Sequence, residues 1–128
     1  MKKLLLLILC FCMFFSGCGK GADDKEAGFM QITQDEAKSI MDKEDCVILD
    51  VREQYEFDEG HIEGAILIPH EKIAFLAEGK LPDKDETILV YCRSGRRSKI
   101  ASEELVKLGY TNVKEFGGII YWTYEVVK

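Results

Sequence analysis

Apolar residues come along this chain in short blocks separated by polar segments of helical period. Five blocks read as strands: 29–32, 47–51, 65–68, 87–91 and 113–116. The second and fourth are unbroken apolar runs, the pattern of strands covered on both faces. Between the strands lie helical signals. Thr33-Gln34-Asp35-Glu36 is a capping box that opens a helix carrying Ala37, Ile40 and Met41 on one face. Residues 53–57 suit a single helical turn before Gly60, and 71–77 a short helix. Beyond 91 comes a longer helix with Ala101, Leu105 and Leu108 on one stripe, stopped by Gly109. Gly117-Gly118 permits a sharp turn into 119–125, which holds the only tryptophan, Trp122. Strands alternating with helices predict an α/β domain: a mostly parallel five-stranded sheet with helices on both faces.

The first 28 residues follow another logic. Met1-Lys2-Lys3 is basic, residues 4–15 are a twelve-residue apolar run, and Ser16-Gly17-Cys18 closes it. Twelve residues fall short of the ~20 that a membrane-spanning helix needs, and fit the core of a secretion signal. The ending resembles a bacterial lipoprotein signal, with Phe15 where that motif usually has Leu. The expected organisation is a signal peptide at 1–17, a lipidated Cys18 with a flexible polar tether to 28, and a folded domain at 29–128. The expected location is the cell envelope, anchored to the membrane and facing outside the cytoplasm. Losing Lys2 and Lys3 with the leader takes the net charge from −6 to −8. That balance excludes a nucleic-acid partner, which needs a basic surface.

Five cysteines become two in such a domain, Cys46 and Cys92. Cys46 enters one strand and Cys92 leaves another, so in a parallel sheet they sit at opposite edges, too far apart for a disulfide. Cys46 reads as structural. No spacing of His and Cys suggests a metal.

Cys92 is the candidate nucleophile. Cys92-Arg93-Ser94-Gly95-Arg96-Arg97-Ser98 joins a buried strand to a helix. Such loops aim backbone N–H groups inward, and the helix start adds partial positive charge. Three arginines there oppose the macrodipole and cost stability unless an anion or a thiolate compensates. The expected outcome is a Cys92 thiolate, ionising well below the ~8.5 of a free thiol, beside an anion site made by Arg93, Ser94, Gly95, Arg96, Arg97 and Ser98.

Four ordered motifs then place the chain. Asp50-Val51-Arg52-Glu53, Gly60-His61-Ile62-Glu63-Gly64-Ala65 with Ile68-Pro69, the 92–98 loop, and Gly117-Gly118 with Trp122 together resemble a single-domain rhodanese-like sulfurtransferase over about 29–126. Glu63 departs from that family's usual Pro. The resemblance implies transfer of a sulfane sulfur from thiosulfate or a related small anionic donor, through a Cys92 persulfide, to a thiophilic acceptor. That acceptor is cyanide or a thiol, a thioredoxin-like protein among them. The reaction asks for no cofactor and no metal, and the protein is expected to be a monomer. Asp50 and Arg52, at a strand's carboxyl end, are expected to brace the active loop; His61 fixes a turn, and Trp122 packs.

Two other chemistries fit such a loop. One is a non-catalytic persulfide- or sulfide-binding module serving an envelope partner. The other is a phosphatase or arsenate-reductase-like enzyme. Related phosphatases place Arg six positions after Cys and His before it. Here Arg97 is five positions on, Ser98 is sixth, and Tyr91 precedes the cysteine. A phosphatase must also protonate its leaving group, and the loop contains no acid.

Overall fold

The computed structural model describes residues 28–128. The expected signal peptide at 1–17, Cys18 and all but the last residue of the tether lie outside the described residues. The domain is built from β1 (Met30–Gln31), α1 (Gln34–Lys43), β2 (Val47–Asp50), α2 (Gln54–Glu59), β3 (Ile66–Leu67), α3 (Ile73–Lys80), β4 (Ile88–Cys92), α4 (Arg96–Lys107) and β5 (Val113–Gly118). A 3-10 turn precedes α3, and another follows β5.

The strands form one five-stranded sheet in the order β1-β5-β4-β2-β3, with every pairing parallel. Parallel neighbours need crossovers, and the helices supply them on both faces. On one face Ile73 and Ala77 of α3 and Ala101 and Leu105 of α4 close over Leu49, Ile88 and Val90. On the other, Ala37, Ile40 and Met41 of α1 join Leu89, Tyr91, Phe116 and Trp122. All five residues of β4 are buried, which explains their unbroken apolar run.

Local chemistry sets the element ends. Thr33 Oγ1 accepts from the Glu36 amide at 3.0 Å, and Glu36 Oε1 accepts from the Thr33 amide at 2.8 Å, a reciprocal cap worth about 1 kcal/mol. His61 does fix a turn. Its Nδ1 lies 2.9 Å from Phe57 O, its ring stacks on Phe57 at 3.7 Å, and its backbone bridges to Val127.

Three elements run longer than their sequence signals. α2 continues to Glu59 and α3 to Lys80. β5 extends through the glycine pair, because Gly118 pairs with Cys92 across a register shift between Val90 and Cys92. Bulges of this kind re-aim side chains at strand ends, and here the shift sets the glycine pair against the Cys92 loop.

Candidate active site

Cys92 is the last residue of β4, at the carboxyl edge of the sheet where α/β folds place their ligands. The chain then turns through Arg93-Ser94-Gly95 and enters α4 at Arg96. Gly95 adopts φ 117°, a left-handed conformation that side chains rarely tolerate. This turn swings the Gly95 amide back onto the cysteine, where it donates to Sγ at 3.0 Å. Ser98 Oγ lies 3.4 Å from the same sulfur. No side chain caps α4, so the N–H groups of Arg96, Arg97 and Ser98 have no helical partner. They are available to an anion or to a second sulfur.

The glycine pair holds this loop from behind. Arg93 O accepts from the Ile120 amide at 3.2 Å. A Cβ on Gly118 would lie 2.0 Å from Arg93 O and 2.5 Å from Ser94 Cα. Only glycine lets β5 approach the loop so closely. Cys92 itself is 1% exposed, so a donor must present one slender atom to reach it.

The arginines divide. Arg93 and Arg96 are exposed, whereas Arg97 is half-buried and engages Glu56 of α2 through two parallel bonds, Nη1–Oε1 at 2.8 Å and Nη2–Oε2 at 3.0 Å. The Arg97 bond pulls the Glu56 carboxyl down to about 2, against burial and with help from the Glu53 amide. Glu56 in turn holds Arg97 more firmly protonated. Glu56 thus offsets the charge of Arg97, while among the described residues no carboxylate pairs with Arg93 or Arg96. Glu56 sits three residues after Glu53 on the first turn of α2, a spacing that marks a helix cap and not a partner for Arg97.

The bracing by Asp50 and Arg52 also differs from expectation. Asp50 Oδ2 accepts from Arg52 Nη2 and from Tyr91 Oη, both at 2.7 Å. Arg52 Nη2 further donates to Gly60 O at 2.8 Å, and Tyr91 Oη accepts from the Ile62 amide at 3.1 Å. Neither residue bonds to 93–98. They fix β2 to the Gly60–Ile62 turn and to Tyr91, and so act on the loop only through the residue before the nucleophile. Burial and the Asp50 charge push the Tyr91 hydroxyl far above its ordinary range. Tyr91 therefore stays a neutral donor turned away from the sulfur.

Cys46 and Cys92 are both free thiols. Burial, with Glu44, Asp45 and Glu86 nearby, pushes the Cys46 thiol up, which keeps it inert. A cleft of about 390 Å³ bordered by Arg52, Glu56, Arg93 and Ile120 opens beside the loop. A larger one of about 690 Å³, against Lys38, Ile62 and Trp122, contains no loop residue.

A sulfur nucleophile, an uncapped helix start and a glycine-held loop are now in place, and comparison supplies the lineage. A family model described as Rhodanese-like domain matches residues 33–125. The chain belongs to this family. Among curated relatives, thiosulfate sulfurtransferase PspE of Escherichia coli (strain K12) is 39% identical over 71 residues, 56% of this chain and 68% of that protein. A putative mitochondrial thiosulfate sulfurtransferase of Schizosaccharomyces pombe is 40% identical over 85 residues, 56% of this chain and 58% of that protein. A tRNA uridine(34) hydroxylase of Photorhabdus laumondii is 34% identical over 91 residues, 67% of this chain and only 26% of that longer protein. Among solved structures, a rhodanese with anions from E. coli shares 36% identity at a TM-score of 0.62, covering 66% of this chain and 99% of that one. A rhodanese-related protein from Thermoplasma volcanium shares 32% at 0.66, covering 77% and 97%. At the level of the family, the domain is sulfurtransferase-like.

Proposed function

We propose that this protein transfers sulfane sulfur from thiosulfate or a similar donor through a persulfide on Cys92. The observation that carries this reading is the Cys92 sulfur under the Gly95 amide, beside an uncapped helix start. The Cys92 thiolate attacks the outer sulfur of thiosulfate. The S–S bond of the donor breaks, sulfite leaves with the bonding pair, and Cys92 carries the sulfur as a persulfide anion. Helix-start amides stabilise that terminal sulfur as an oxyanion hole would. A thiophilic acceptor then attacks the terminal sulfur and regenerates the thiolate. Arg93 and Arg96 attract the donor, while Arg97, fixed by Glu56, supplies a rigid positive wall.

The phosphatase reading needs a neutral acid to protonate an alkoxide. Glu56 borders the cleft beside the loop, and Arg97 keeps it ionised with its carboxyl at about 2. Sulfite is a stable anion and leaves without a proton, so sulfur transfer suits the site better. Steady-state thiosulfate:cyanide turnover tests the reading, with thiocyanate formation expected. A wild-type protein that loads sulfur on Cys92 without turning over would instead be a persulfide-binding module.

The same proposal places the enzyme at a membrane, with Cys18 lipidated and the chain outside the cytoplasm. A tether of about ten residues spans roughly 15–20 Å. The acceptor, a thioredoxin-like thiol protein for example, is then membrane-proximal.

A further inference from the structure

In the second half of the transfer an acceptor sulfur must reach the terminal sulfur of the Cys92 persulfide. Cys92 is 1% exposed, so the loop admits little more than that one atom. The body of the acceptor is therefore held outside the loop and against it. The cleft of about 390 Å³ meets this condition. Arg93, the residue after the nucleophile, lies on its wall with Glu59, Ile120, Trp122, Tyr124 and Val126. The wall is also fastened to the loop, since the Ile120 amide donates to Arg93 O at 3.2 Å.

The lining specifies a ligand. Ile120 and Val126 are each 49% exposed and Tyr124 37%, an apolar surface that neither thiosulfate nor cyanide can cover. The volume falls in the range of roughly 300–1,000 Å³ typical of sites for small organic molecules. The charges on the cleft divide into engaged and free. Arg52 is closed onto Asp50, and Glu56 onto Arg97. Arg93 and Glu59 are exposed, and among the described residues neither forms an ion pair. Glu59 closes α2, whose last turn contains no basic residue. The cleft thus offers one free cation beside the nucleophile, one free carboxylate and an apolar wall.

We propose that this cleft is the acceptor subsite, and that it takes a small zwitterionic thiol with a partly apolar body, the chemistry of a short cysteinyl peptide. The inference rests on the sulfurtransferase reading of Cys92. Sulfite departure leaves Arg93 free for the carboxylate of the acceptor, and Glu59 receives its ammonium group. In the step itself the acceptor thiolate bonds to the terminal sulfur of the persulfide. The bond between that sulfur and Cys92 Sγ breaks, and its electron pair stays on Sγ as the thiolate. The acceptor departs as a persulfide anion, so charge is conserved and no oxidant, reductant or proton is consumed. Glu59 meets the body of the acceptor and not the reacting sulfurs, and it sets specificity.

The test uses the full chain in detergent, loaded with thiosulfate and freed of excess donor, so that only discharge of the persulfide is timed. The acceptors, each below saturation, are cysteinyl-leucine, its C-terminal amide, its N-acetyl form and cysteinyl-glycine. Comparing one acceptor between two proteins cancels the intrinsic reactivity of its thiol. Glu59→Gln should slow discharge by cysteinyl-leucine and by its amide about two- to fivefold, the range of an exposed ion pair. The N-acetyl form, which has no ammonium group, should react no more slowly than with wild type. Wild type should prefer cysteinyl-leucine to cysteinyl-glycine, and Val126→Ser should narrow that preference. Equal slowing of all acceptors by Glu59→Gln, no slowing of any, or equal rates for the leucine and glycine peptides in wild type overturns the proposal.

A second readout needs no persulfide. Trp122 is the only tryptophan and lines the cleft, so its fluorescence should report saturable binding of S-methylcysteinyl-leucine, which has no nucleophilic thiolate. Glu59→Gln should weaken that binding by a similar factor; no binding to wild type, or the same affinity in the variant, also overturns the proposal. Failure to load sulfur from thiosulfate shows before any acceptor is added. It would count against the sulfurtransferase reading, and the fluorescence titration would still decide the cleft.

Discussion

Glu56→Gln tests the electrostatic frame of the loop. In the folded protein the Glu56 carboxyl lies at about 2 rather than 4.5, chiefly because Arg97 bonds to it. At about 1.4 kcal/mol per pH unit, that difference caps the pair's contribution at about 3.5 kcal/mol. The side chains are only 11% and 21% exposed, so solvent screening removes a modest part. Gln keeps one of the two bonds, and the expected loss is about 2 kcal/mol at neutral pH, equivalent to roughly 8–16 °C in Tm for a domain of this size. The pH dependence has a definite sign. A carboxyl lowered on folding stabilises fully above its unfolded value, and that contribution fades as pH falls through the folded value. The gap between wild type and Glu56→Gln should therefore be widest above pH 4.5 and nearly closed close to pH 2. Urea unfolding followed by circular dichroism at stepped pH measures it. A gap below about 0.5 kcal/mol at neutral pH, typical of an exposed pair, or a gap independent of pH, would refute the reasoning.

Other outcomes follow from the same geometry. Gly118→Ala puts a methyl group 2.0 Å from Arg93 O; the loop must move, and sulfur transfer should fall at least tenfold while Cys46 alkylation stays at its wild-type rate. Arg97→Ala should raise the KM for thiosulfate and slow Cys92 alkylation at neutral pH, with an unchanged alkylation profile showing that Arg97 does not act on the sulfur. Cys46→Ser should retain most turnover, since Cys46 enters β2 while Cys92 closes β4; loss of turnover in a folded variant would make Cys46 a resolving thiol. Cys18→Ala should block lipid labelling and leave an unprocessed, signal-anchored form, and normal processing of that variant to a soluble secreted protein would show an ordinary secretion signal.

Much of this fold was legible because local and tertiary preferences agree. The continuous apolar run before Cys92 is a strand buried on both faces, and the Thr33/Glu36 spacing is an observed reciprocal cap. The arginine-rich loop could be placed for the same reason: a strand, a glycine turn and a helix each carry local signals. What stayed hidden depends on contacts between residues far apart in the chain. Arg97 meets Glu56 from α2, and Asp50 meets Tyr91 rather than the loop, through pairings that only the sheet order creates. Glu115 left a readable trace, since strand alternation from Val113 puts a carboxyl on the core face. Its hydrogen bond with Ser98 arises only from packing β5 against α4. The close approach of Gly118 likewise depends on a register shift that no local pattern announces.

Sulfur transfer through this loop requires Cys92 to carry the sulfur. The most direct test is the intact mass of the protein, and of its Cys92 peptide, after incubation with thiosulfate and removal of excess donor. One added sulfur is expected on Cys92, released as thiocyanate by cyanide and absent from Cys92→Ser. An unmodified Cys92 peptide, or added sulfur that persists in Cys92→Ser, would contradict it.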